Sequence, residues 1–281
     1  MKKKLLAIIA MVLSAIMLFG MTACGGTKVT YAEITLTGES YGFCVKPDDS
    51  DLLDSVNDLL AEIKADGTLD EIYAAEENGT ATDIGTVKTT STNRANELVV
   101  ATNAEFAPFE YKKGANFAGV DMQIAKLLAA KLNKTLVIMD MKFDAVITSV
   151  GNGTCDIGMA GLTISDGRSD NVTFSDAYYD TTQIIAYRAG DERFASCKTA
   201  DDVVNAIQAL ESGAKAGAAT GQTGYFYLKG SADFDFEGFS NLTISQYDSI
   251  ALAVKDLANG NVEFVVGDKD TVKAAVEGVN G

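Results

Sequence analysis

From residue 98 onward, short apolar runs alternate with stretches whose apolar positions recur every three or four residues. The pattern predicts strand 98–102, helix 119–132, strand 135–139, helix 143–150 and strand 156–160, with a strand near 182–188 closing the block. A second block follows, with helix 200–211, strand 215–219, helix 222–229, strand 242–245, helix 248–258, strand 262–266 and helix 269–277. Strands alternating with helices of this length form βαβ units around parallel sheets. Two α/β lobes are therefore expected, divided near residue 190. Ahead of them, 29–35 and 41–46 read as short strands. Asp51–Ile63 is an amphipathic helix with Leu52, Leu53, Val56, Leu59, Leu60 and Ile63 on one side, capped by Asp48 or Ser50 and stopped by Gly67. A short helix covers about 68–77. Residues 79–96 hold few apolar groups and read as a flexible linker.

The first residues form a different pattern. Lys2, Lys3 and Lys4 precede a run over 5–23 with no charged side chain. Its ending, Met21-Thr-Ala-Cys-Gly25, resembles a bacterial lipobox, in which cleavage precedes the cysteine and lipid is attached to its sulfur. The resemblance implies a signal peptide over 1–23, lipidation at Cys24, a tether over 24–28 and an extracytoplasmic, cell-membrane-anchored lipoprotein. Cleavage would remove three lysines and take the net charge from −16 to about −19.

Such acidity argues against nucleic acid, whose backbone is bound by Lys and Arg. The chain has no histidine, which excludes Ser-His-Asp and Cys-His catalysis and His-ligated zinc. Cys44, Cys155 and Cys197 remain after the lipobox, enough for at most one disulfide; each reads as a small buried hydrophobe rather than a metal ligand. No metal or cofactor is expected.

In sheets of this kind ligands bind beyond the carboxyl ends of the strands. There the sequence places Asn103 to Glu110, with two phenylalanines; Gly161 to Arg168; Thr220-Gly-Gln-Thr-Gly224; and Gly267-Asp268. Arg168 suits a carboxylate, supported by the N–H groups opening the helix at Gly221–Gly224, and Asp268 suits a cation. A site holding both fits a zwitterion, a free α-amino acid. Phe106 and Phe143 can wall its side chain, whereas Phe109 reads as core. Each feature also has a plainer account: a surface arginine, an N-cap aspartate, an ordinary strand-to-helix turn.

Several segments together resemble the bacterial extracellular solute-binding proteins of family 3, the polar amino-acid receptors of ABC importers. They are Ala101–Tyr111, Gly119–Met122, Asp156–Arg168, Val172–Tyr179, Thr220–Gly224 and Asp256–Asp268. The resemblance implies a two-lobed, periplasmic-binding-protein-like α/β fold of type II. Tyr41–Asp49 and Leu52–Tyr73 resemble that family's carboxyl-terminal segment but come first here, which implies a circular permutation with the usual ends joined through 79–96. Expected boundaries are then 29–39 for the first strand of lobe 2 and the hinge, 40–188 for lobe 1 and 189–281 for lobe 2, with crossings near 35–40 and 188–191.

By the same resemblance Arg168 and Thr223 hold the α-carboxylate, while the Gly161 carbonyl, Thr163 and Asp268 hold the α-ammonium. Phe106 and Phe143 sandwich the side chain, and Gln222 also reaches the ligand. Asn103 stands where receptors for cationic side chains carry Asp, which points to a neutral polar amino acid, although nearby Glu105 can restore a negative charge. The implied partners are a free amino acid and a membrane permease, with the protein a monomer. Two alternatives on this scaffold are a dehydratase-like enzyme and an amino-acid sensor or adhesion lipoprotein.

Overall fold

A computed structural model describes residues 27–281. The expected signal peptide, the expected lipidation site Cys24 and most of the expected 24–28 tether lie outside the described residues. Among the described residues no helix is long and apolar enough to cross a membrane.

The chain builds two five-stranded sheets. The first runs in the order Thr173–Phe174, Cys44–Val45, Ile157–Gly158, Glu97–Thr102, Thr135–Asp140, and the second Val29–Ala32, Gln183–Arg188, Phe264–Asp268, Ala214–Ala219, Leu242–Tyr247. In each, three neighbouring strands are parallel and the fourth is antiparallel. The βαβ reading of both blocks therefore holds. Strands such as Glu97–Thr102, buried at every position, are covered on both faces.

Strand Gln183–Arg188, expected to close lobe 1, belongs to the second sheet, where it pairs antiparallel with Phe264–Asp268. The lobe boundary accordingly falls before 183 rather than at 188. The crossings are Glu39–Tyr41 and Tyr179–Thr181, paired antiparallel with Tyr41 opposite Tyr179. The second crossing thus lies some way before the 188–191 position expected. Apolar length alone did not reveal which sheet the strand joins.

Helix Ser50–Ala65 packs Leu52, Val56, Leu59, Leu60 and Ile63 into the first lobe. Its cap is neither Asp48 nor Ser50: the Asp49 carboxylate accepts the Leu52 N–H at 3.2 Å. Phe43 joins the same core and stacks on Tyr178 at 4.3 Å. Residues 40–77 are thus integral to lobe 1.

The stretch 79–96 is not a flexible linker. Ala81 and Ile84 are buried, and the Ile84 and Ile138 amides donate to the Phe117 and Lys88 carbonyls. Glu97 ties down the far end: its buried carboxylate accepts from Lys88 Nζ, the Ser91 hydroxyl and the Thr92 and Asn93 amides. These bonds hold it down to about 2, Lys88 contributing most. Composition hid this because so few apolar residues do the anchoring.

The first and last described segments meet at the edge of the second lobe. The Asn280 side-chain amide accepts from the Val29 N–H and donates to the Val29 carbonyl, at 3.1 and 2.8 Å. All three described cysteines are free; Cys44 and Cys155 are buried as expected, whereas Cys197 is only half-buried.

Candidate functional site

Eight of the nine expected ligand residues line one tightly closed cavity between the lobes, with no room for a water molecule: Phe106, Phe143, Gly161, Thr163, Arg168, Gln222, Thr223 and Asp268. Their convergence follows from the topology. The first lobe brings Phe106, Gly161, Thr163 and Arg168 from the segments that follow its parallel strands, and the second brings Gln222, Thr223 and Asp268 from the equivalent ends.

Gly161 has φ +53°, and a Cβ there would lie 2.5 Å from the Phe106 ring. Only glycine lets that ring pack over the turn. The Gly161 N–H donates to Asp121 Oδ2 at 3.0 Å, a buried carboxylate that also accepts from Tyr178. Burial raises Asp121 to about 6. It holds the turn through its amide and leaves the Gly161 carbonyl available.

Arg168 reaches across the cleft. Its guanidinium donates to the Thr163 carbonyl at 2.9 Å in its own lobe and to the Gly221 carbonyl at 3.1 Å in the other. The Thr163 and Thr223 hydroxyls lie 2.9 Å apart, also across the lobes. Thr163 donates to Glu39 Oε2 at 2.9 Å, and a hydroxyl has one proton, so Thr223 is the donor in that pair.

Asp268 ends strand Phe264–Asp268 and precedes the helix Lys269–Asn280, yet its side chain makes no capping bond. Instead it accepts from the Tyr41 hydroxyl at 2.5 Å. Burial, and next the nearby Glu39 carboxylate, raise it to about 7. A cation placed beside this carboxyl would favour its ionised form against that burial.

Glu39 was not singled out from the sequence. It sits on the first crossing strand, Glu39–Tyr41, where Oε1 accepts from Thr37 and Gln183 and Oε2 from Thr163. A short polar strand carried no signal that its carboxylate would turn toward the cleft. Asn103 stands apart from the other eight. Its amide N–H donates to the Met141 carbonyl at 2.8 Å, while its Oδ1 is buried and unpartnered. It lines an adjoining cavity with Glu105, Asp140, Lys142, Phe143, Asp144 and Asp248. Phe109 is core as expected, buried edge-on against Tyr41 and Tyr179.

Comparison with known proteins agrees with this architecture. Residues 98–277 match the model of the bacterial extracellular solute-binding proteins, family 3. A probable histidine-binding protein of Neisseria gonorrhoeae is 33% identical over 175 residues, 62% of this chain and 59% of that protein. The arginine-binding extracellular protein ArtP of Bacillus subtilis is 35% identical over 104 residues, 37% of this chain and 41% of that protein. The matched stretches thus span less than two thirds of either relative. Among solved structures, the arginine-bound truncated ArgBP from T. maritima aligns with a TM-score of 0.54 at 29% identity, covering 66% of this chain and 79% of that one. The family match takes in most of the chain and every residue of the inter-lobe cavity, and the chain belongs to the bacterial extracellular solute-binding proteins of family 3.

Proposed function

We propose that this protein is the extracytoplasmic substrate-binding component of an ABC importer, lipid-anchored through Cys24, and captures a free amino acid between its lobes. One observation carries the reading: Arg168 and Asp268, of opposite charge, line the same inter-lobe cavity from different lobes. A free amino acid carries the complementary pair of charges. Arg168 and Thr223 hold the α-carboxylate, Asp268, Thr163 and the Gly161 carbonyl hold the α-ammonium, and Phe106 and Phe143 face the side chain. A ligand touching both lobes favours their closure by its differential contacts, and the paired crossings Glu39–Tyr41 and Tyr179–Thr181 serve as hinge. The closed monomer then docks on a membrane permease. No catalytic residue is assigned.

The uncharged Asn103 supports a neutral polar side chain. A second reading, a cationic side chain, is favoured by Glu105 and Asp144, which line the adjoining cavity and form no ion pair among the described residues. The similarity to proteins named for arginine and histidine binding also favours it.

The circular permutation is part of the same proposal. It is supported by strand Cys44–Val45, which fills the antiparallel position of the first sheet from outside the family match, and by the contact between Asn280 and Val29. A thermal-shift screen of the twenty amino acids, followed by calorimetry, tests the function. Stabilisation by one or a few of them is expected. No binding of any amino acid would sink the reading.

A further inference from the structure

The loop between helix Thr223–Lys229 and strand Leu242–Tyr247 has a role that the amino-acid site does not account for. It leaves and re-enters the second lobe through a neck of two glycines. A Cβ on Gly238 would lie 2.3 Å from the Gly230 nitrogen, and both residues have positive φ. Above the neck, Ser231 and Phe236 exchange two backbone hydrogen bonds, of 2.8 and 2.9 Å. Phe234 stacks between Phe226 and Phe236, with ring centroids 5.1 and 5.8 Å away. The loop is therefore braced by its own backbone and rings.

Its tip lands on the other lobe. Asp233 seats so closely on Gly167, in the short helix Asp166–Ser169, that a Cβ there would lie 2.4 Å from the aspartate Cγ. The next residue, Phe234, places its ring 5.4 Å from the Arg168 guanidinium carbon, while Phe143 of the first lobe approaches at 5.5 Å. An arginine face over an aromatic ring is attractive, and two rings restrict the tilt of the guanidinium plane. Phe143 belongs to the lobe of Arg168 and accompanies it at any opening. Phe234 does not, and reaches Arg168 only when the lobes meet.

We infer that the loop 231–237 is a clamp that stabilises the closed arrangement of the lobes by seating Asp233 on Gly167 and Phe234 on Arg168. Phe234 is a positioning residue, acting on the ligand through Arg168. The effect on ligand kinetics rests on the amino-acid-binding reading; the clamp itself does not.

The test has two arms, on the full chain and on two variants, Phe234→Ala in one lobe and Gly167→Ala in the other. The first arm uses no ligand. Spin labels at Lys126→Cys and Lys255→Cys, in a Cys197→Ser background, report inter-lobe distance by pulsed electron resonance. Both variants should shift the distribution toward longer distances than the parent, with an unchanged circular dichroism spectrum. Identical distributions in parent and variants overturn the clamp, whatever the protein binds. The second arm measures stopped-flow binding of L-glutamine and L-arginine. Dissociation should accelerate roughly 5- to 30-fold in Phe234→Ala, with the association rate constant nearly unchanged. An equal loss in both rate constants, or none, rejects the positioning role. If neither probe binds the parent protein, the functional reading for these amino acids fails while the distance arm still decides the clamp.

Discussion

The Tyr41 hydroxyl donates to Asp268 Oδ1 at 2.5 Å, joining the crossing strand Glu39–Tyr41 to the carboxylate at the end of a second-lobe strand. Tyr41 and Asp268 are both buried. The bond favours the ionised form of Asp268 against the burial and the Glu39 charge that raise it to about 7. Ammonium recognition requires that ionised form. Amino-acid affinity should therefore fall as pH drops from 8 to 6. Tyr41→Phe removes the donor and should move the midpoint of that fall upward by about one unit, read by calorimetry across pH. A midpoint that stays put would show that Asp268 is not the group being titrated.

The same carboxylate acts on stability with the opposite sign. Unfolded, it releases its proton near its ordinary value of 3.8; folded, near 7. The folded chain binds more protons between those values, so this group's contribution to stability falls as pH rises through them. Asp268→Asn should raise the melting temperature of the ligand-free protein at pH 8, with the gain vanishing below pH 4. At pH 8 it should also weaken amino-acid binding by about 2–5 kcal/mol, at least roughly 30-fold.

Arg168 offers planar donors that a lysine cannot reproduce. Both Arg168→Ala and Arg168→Lys should lose at least roughly 30-fold in affinity, with near-normal circular dichroism. Retained affinity in calorimetry would place the carboxylate elsewhere.

Glu97 pins the 79–96 stretch by accepting from five donors, the Thr92 hydroxyl included. Its contribution is present above the ordinary value of 4.5 and is lost as pH falls toward about 2. Glu97→Gln should lower the melting temperature at pH 7, with the deficit shrinking below pH 4.5. Limited proteolysis should show faster cleavage between 79 and 96. An unchanged cleavage rate would mean that the buried Ala81 and Ile84 hold the stretch unaided.

Residues 98–277 carry the family match but lack Phe43, Val56, Leu59 and Leu60, which the first-lobe core contains. Expressed alone, that segment should fail to give a cooperative melt. A reordered chain with 97–281 placed ahead of 27–96 should melt cooperatively and bind as the parent does, because residues 29 and 280 are already in contact. Loss of folding on reordering would count against the permutation.

Strand and helix types in both lobes were legible because apolar periodicity survives burial on either face of a sheet. The cleft groups were legible where residue type and strand-end position coincided, as at Arg168 and Asp268. Three things were not. Gln183–Arg188 reads as a strand whichever sheet it joins. The 79–96 stretch is held by two buried apolar side chains and one carboxylate, too few to outweigh its threonines. Glu39 gains its place only when the two crossings pair, a contact between residues some 140 positions apart.

The Asn280 amide stitched to the Val29 backbone has a mechanical outcome. Whatever grips the polypeptide just ahead of residue 29, be it a surface, a bead or a fused partner, grips the half that carries Asp268. The half that carries Arg168 then becomes the swinging jaw, joined covalently to the support through the two paired crossings.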